Sequence, residues 1–137
     1  MRRRVPINPL QTAIYNLLKE KQTTPVYDKL PKKQSFPYIL ISDYEYTLSG
    51  AKDTDICDIT FELEIWTDYQ GKTEVNEIVE DITYVLTAGK IDLSASGYKL
   101  IEKDAKSGKG ARQDALFYGI VNFNAKTQNM GGQHEKV

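Results

Sequence analysis

The chain holds one cysteine, Cys57, and one histidine, His134. A lone cysteine excludes an intrachain disulfide and fits a reducing compartment. A lone histidine with no cysteine partner supplies neither a zinc ligand set nor the base and nucleophile of a hydrolytic triad. Long apolar runs are missing too: nothing approaches the ~20 residues of a membrane helix. Met1-Arg-Arg-Arg4 resembles the start of a signal peptide, but polar, amphipathic sequence follows it, so neither membrane attachment nor secretion is expected. Surplus charge is also absent. With 18 basic and 19 acidic residues the net charge is -1, unlike a dedicated nucleic-acid binder, although a local basic patch remains compatible with it. Ser107-Gly108-Lys109-Gly110 has the residues of a phosphate loop without its spacing or its strand-to-helix setting. No catalytic, cofactor-binding or metal-binding residue is assigned.

What is present is an ordinary core-forming sequence. Its 137 residues suit one domain, and 40% hydrophobic with 27% charged residues is a globular balance. The clearest segment is Cys57–Thr67. Cys57, Ile59, Phe61, Leu63 and Ile65 alternate with Asp58, Thr60, Glu62 and Glu64. Only a strand has a side-chain period of two, so one face is apolar and the other acidic. Cys57 falls in the apolar phase and is expected to be a buried structural thiol. For Trp66 the two readings are a ring buried in the core and an interface residue, and the core is the expected one.

Two segments change period. Leu10, Ala13, Ile14, Leu17 and Leu18 form a helical stripe, with Asn8 as N-cap, Pro9 in the first turn and Gln11 placed for a capping box. The expected helix runs from Pro9 to Lys21. Val75, Ile78, Val79, Ile82, Val85 and Leu86 predict a second helix over Thr73–Ala88, with acids toward its N-terminus and Gly89 as its stop.

A strand is expected over Tyr38–Leu48, with Tyr38, Leu40, Tyr44 and Tyr46 on one face and Ile39, Ile41, Asp43 and Glu45 on the other. Its first half reads as core and its second as running out past the core. The loop Ser49–Thr54 makes a hairpin with the Cys57 strand. Thr24–Pro31 is extended or turning. Ile91 and Leu93 are expected to tuck into the core. Further strands are placed at Tyr98–Ala105 and Asp114–Thr127, separated by a Gly- and Lys-rich loop, Lys106–Arg112. The result is an α+β fold in the order αββαββ: a four-stranded antiparallel sheet packed by two helices. Residues 1–7 read as a flexible arm, 8–128 as the domain and 129–137 as a flexible tail.

With nine tyrosines, two readings of the Tyr44 and Tyr46 face stand level: the edge of a core, or an interface. Glu62 and Glu64 alternate on an outward face, where solvation is the default reading rather than paired catalytic carboxylates.

Several pieces together resemble the tail-completion proteins of long-tailed bacteriophages and their prophage relatives, also called tail terminators or tail-to-head joining proteins. They are Asn8-Pro9-Leu10-Gln11 opening a helix, Val26-Tyr27-Asp28 with Pro31, Phe36-Pro37-Tyr38-Ile39, the strand ending Leu63-Glu64-Ile65-Trp66-Thr67, and the Glu74–Leu86 helix. The resemblance spans about Asn8 to Thr127. It implies a structural virion protein with no catalytic motif. Such a protein forms a ring of about six copies on the last ring of the tail tube, from a chain that is a monomer or weak oligomer in solution, and meets the head-completion or connector protein. DNA crosses its lumen only in passing, no membrane is involved, and assembly takes place in the bacterial cytoplasm. On that reading the assembly candidates are Tyr44, Tyr46, Glu62, Glu64, Lys106, Lys109 and Arg112. The alternatives are another head–tail connector or tail-tube component, or a small ligand-binding α+β domain.

Overall fold

The computed structural model describes residues 4–50 and 55–131. Met1 to Arg3 of the expected arm, Ala51 to Thr54 of the hairpin loop, and residues 132–137 of the expected tail, His134 included, lie outside the described residues. The elements in chain order are α1 (Ile7–Lys21), β1 (Val26–Tyr27), β2 (Tyr38–Ser49), β3 (Ile56–Thr67), α2 (Thr73–Ala88), β4 (Tyr98–Gln113) and β5 (Leu116–Asn129), with a 3-10 turn at Ser94–Ser96 between α2 and β4. The sheet is five-stranded in the order β1-β2-β3-β5-β4.

The α+β class stands, but the sheet is mixed rather than wholly antiparallel and has a fifth strand. Val26 and Tyr27, expected only to be extended, pair in parallel with Ile39 and Leu40. The Ile39 amide donates to the Pro25 carbonyl at 2.8 Å. A two-residue strand has too few residues to show a period, so pairing alone defines it. The four long strands pair antiparallel as β2-β3, β3-β5 and β5-β4.

β3 occupies the centre of the sheet, and its burial alternates residue by residue from Ile56 to Thr67. Ile59, Phe61, Leu63 and Ile65 meet Leu10, Ile14, Ile82 and Leu86 of the two helices in one core. α2 lies close on the sheet because β5 has Gly119 beneath it: a Cβ there would stand 2.6 Å from Val79 Cγ2. Gly89 likewise ends α2 through close approach, since a Cβ would meet the Val85 carbonyl at 2.5 Å. Ile91 and Leu93 do join the core.

α2 has the expected limits, whereas α1 starts earlier than Pro9. Its N-cap is Pro6, without a side-chain cap bond, and the Leu10 amide already donates to the Pro6 carbonyl at 3.1 Å. Asn8 therefore sits inside the first turn and the expected capping box does not form. Pro9 is tolerated because first-turn amides have no intrahelical acceptor. α2 has no base in its last turn. Lys103 of β4 supplies one: its Nζ donates to the Leu86 and Thr87 carbonyls, each at 2.7 Å. A cation there meets the negative end of the helix dipole, and burial pushes the Lys103 amine below its ordinary value.

The largest correction concerns β4. The expected loop Lys106–Arg112 is strand: β4 continues to Gln113 and turns at Asp114 and Ala115 into β5. Asp114 takes φ 56°, a left-handed conformation that Asp tolerates. At the far end β5 runs to Asn129, beyond Thr127, and the Met130 amide donates to the Gly97 carbonyl at 2.9 Å.

Candidate functional site

Cross-strand partners project to the same side of a sheet, so the register builds both faces. The helix side carries Ile65, Gly119 and Gly110 in one row and Phe61, Phe123 and Ala105 in another. The open side carries Tyr38, Trp66, Tyr118 and Ala111 in one row, and Leu40, Glu64, Ile120 and Lys109 in the next. Glu62, Asn122 and Ser107 form a third row.

The structure thus brings Glu62, Glu64 and Lys109 of the expected site together on the open face, around a shallow concavity of ≈ 410 Å³ shared with Trp66, Tyr118 and Asn122. Trp66 does not join the core. It has the parity of Glu62 and Glu64, lies half-buried on the open face, and stacks on Tyr118 with ring centroids 4.7 Å apart. Its indole N–H donates to Glu64 Oε1 at 2.8 Å. Lys109 Nζ stands 5.9 Å from the centre of the Tyr118 ring, within cation–π range. Ser42 Oγ donates toward Glu62 Oε1 at 3.0 Å and the Glu62 carbonyl at 3.1 Å. The two carboxylates are therefore oriented by donors rather than free on a wet face. Beside them, burial first and the Glu64 charge second push the Tyr38 phenol upward.

Farther along, Asn124 Nδ2 donates to Asp58 Oδ1 at 2.6 Å and Thr60 Oγ1 at 3.0 Å. Asn122 Nδ2 donates to Ser107 Oγ at 3.1 Å. The open face is thus aromatic at one end and a polar ladder at the other.

Tyr44 and Tyr46 are elsewhere. A bulge between Ile41 and Tyr44 shifts the register of β2, so Tyr44 pairs with Phe61 and Tyr46 with Ile59. This reverses the expected phase: they share the helix side with Ile39 and Ile41, not the side of Tyr38. Neither helix shields them. They are 45% and 46% exposed, although the Tyr44 ring lies 5.7 Å from that of Phe61. Lys106 occupies the second bulge of β4, between Ala105 and Ser107. Arg112 lies beside the hairpin turn, its Nε donating to the Asp114 carbonyl at 3.1 Å.

Tyr118, Ser42 and Asn122 are not singled out by the sequence, and Trp66 is singled out there as a core residue. Trp66 and Tyr118 were legible in principle, the first in phase with Glu64 and the second with Ile120. The Ser42 contact depends on the bulge and gave no signal. Cys57 is buried as expected, 1% exposed, and burial followed by Asp58 and Asp55 pushes its thiol up to about 11. It remains a protonated thiol at neutral pH. Among the described residues no group of three or more His, Cys, Asp or Glu side chains is placed to hold a metal ion, and no helix is long and apolar enough to cross a membrane. The open face offers stacking surface and oriented charge, the features of a contact surface.

A family model described as tail completion protein gp17 matches residues 11–128. No curated protein matches the sequence. Among solved structures, the chain is similar in fold to one from the "Virion of native gene transfer agent (GTA) particle", with a TM-score of 0.77 at 18% identity, covering 87% of this chain and 94% of that one.

Proposed function

We infer the function from one premise: this chain belongs to the tail completion protein gp17 family. It is a structural part of a phage tail. It completes the tail by capping the end of the tail tube as a ring, and it presents the outer side of that ring to the head connector. Its partners are the tail-tube protein, the connector protein and further copies of itself, six to a ring. DNA passes through the ring and is not held there. The protein is assembled in the host cytoplasm and stays in the virion, at the junction of head and tail.

The observation that carries this reading is the extent of the family match, which runs from the second turn of α1 to the next-to-last residue of β5. The fold shared with a chain of a gene transfer agent virion supports a place in a particle of this kind. The surface is of the right sort for docking: stacked rings, donor-held carboxylates and a lysine lie on an open sheet face rather than deep in a cleft.

Electron microscopy of purified tail tubes, with and without added protein, tests it. The expected result is one extra ring at one tube end and tubes that become able to join heads. Tubes that remain bare overturn the reading. Protein that polymerises into tubes by itself assigns the chain to the tube instead.

A further inference from the structure

Glu62 and Glu64 are held by donors but meet no cation. The ion pairs of the described residues join Arg4 to Asp55, Lys21 to Glu20 and Lys126 to Glu102, and include neither glutamate. Each glutamate has one oxygen in use: Glu62 Oε1 accepts from Ser42 Oγ and Glu64 Oε1 from the Trp66 indole. The second oxygen of each accepts nothing among the described residues, although a carboxylate has room for about four bonds. Both side chains are half-buried, so a cation reaching them acts through less water than at an exposed carboxylate. Their surroundings are acidic too. By strand register the open side holds Glu45, Asp58, Glu62, Glu64, Glu102 and Asp104, and against these only Lys99, Lys109 and Lys126.

We propose that the concavity around these two glutamates receives an arginine side chain of another virion protein, its guanidinium lying against Trp66 and bonding the unused carboxylate oxygens. That a virion protein supplies the arginine rests on the reading above; the chemistry of the site does not. A guanidinium is flat, stacks on aromatic rings and is weakly hydrated, whereas an ammonium is compact and holds its water. The Trp66 N–H pins Glu64 beside the indole, so a flat cation on the ring has its own N–H edge toward that carboxylate. Glu62 stands two residues along the strand, about 7 Å away at the backbone, near enough for the same fork of donors to reach both. Ile120 lies in the floor of the concavity, buried although it is no part of the main core. The floor is therefore apolar and in place before a partner arrives. Lys109 sits over Tyr118 at 5.9 Å and confines the incoming cation to the Trp66 end. Two negative charges against that one positive still favour a cation. The same carboxylates repel phosphate, and among the described residues they have no third ligand with which to hold a metal ion.

Trp66 is the only tryptophan of the chain, so its emission reads this site alone. The protein is titrated with the peptide acetyl-Gly-Arg-Gly-Arg-Gly-amide, and with the same peptide carrying citrulline, which keeps the shape of arginine without its charge. Arginine is expected to give a saturable change in emission. Binding should be roughly tenfold weaker for citrulline, and roughly tenfold weaker for arginine in the double variant Glu62→Gln with Glu64→Gln. No saturable change, equal binding of the two peptides, or equal binding by wild type and variant overturns the site. The double variant, confirmed to be folded by circular dichroism, is then added to tail tubes and heads. Roughly tenfold fewer capped or joined particles are expected. Unimpaired capping and joining overturns the use of the site by a virion protein and leaves the proposed function standing. Tubes left bare by the wild-type protein remove that function and this partner with it. Self-association in sedimentation that the double variant abolishes gives the site to a second copy and overturns the inference as well.

Discussion

β3 and β4 are both long strands of one sheet, and they are built in opposite ways. β3 has a strand on each side and the helices on one face, so its burial alternates without a break over Ile56–Thr67. β4 has a strand on one side only. Most of it is exposed, it carries glycines at 108 and 110, and its register slips twice. β3 is a strand because half of its side chains have nowhere else to go. β4 is a strand because β5 is beside it. One strand holds the fold and the other is left available, and substitutions should separate the two roles.

The largest difference is expected at the centre. Phe61→Ala removes a ring that is 1% exposed and touches both the core and Tyr44. The loss should be about 3–5 kcal/mol, read as a lower urea midpoint. A loss under about 1 kcal/mol would mean that β3 is not the element the core is built around.

The next is a pH effect whose largest part lies in β3. The folded Cys57 thiol ionises at about 11 against an ordinary 9.0. Between those values the unfolded chain has released a proton that the folded chain keeps. Stability is therefore complete below pH 9 and falls as the pH rises toward 11, by about 2 kcal/mol across the window. Urea titrations at pH 8 and pH 10.5 should show the fall, and Cys57→Ala should flatten it. An equal fall in Cys57→Ala would assign the effect to another group.

The same contrast explains what could be read from the sequence. β3 and α2 were legible because burial repeats a period over many residues, and α2 has the limits expected of it. β2 was legible up to Ile41 and then reversed, because one bulge slips the phase and carries Tyr44 and Tyr46 to the other side. Outer β4 reads as a loop because Lys, Ser and Gly fit a loop when considered alone and its exposed residues show no apolar period; only the pairing with β5 across the turn at Asp114 and Ala115 makes it strand. β1 was too short to show a period. The Asn8 cap was a sound local pattern overridden when α1 began at Ile7. At the site, parity placed Glu62 and Glu64 correctly on an outward face. The same parity places Trp66 beside them, although the size of an indole favours the core. The partners that orient the carboxylates, Ser42 and Trp66, needed the fold.

A smaller effect is expected where α2 rests on the sheet between the two strands. Gly119 pairs with Ile65 of β3 and Gly110 of β4. In Gly119→Ala the new methyl meets Val79 Cγ2 at 2.6 Å. Val79 is β-branched and stiff, so α2 itself must give way, and the cost should be about 1–2 kcal/mol, within the range of overpacking. Thermal unfolding should show a fall of several degrees. No change in Tm would mean that the helix is not seated on this glycine.

The smallest effect on stability is expected at the edge, and it is the one that defines the comparison. Lys106, Lys109 and Arg112 are all exposed. Within the folded chain, Lys109 has only a long cation–π contact and Arg112 one bond to the Asp114 carbonyl. Replacing all three with Gln removes three charges but no buried area. The urea midpoint should shift by no more than about 0.5 kcal/mol in free energy, as for surface substitutions generally. If the triple variant instead loses as much as Phe61→Ala, outer β4 is holding the domain together and is not a free edge. If stability is unchanged, these charges are no part of what holds the single chain together, and outer β4 is a free edge.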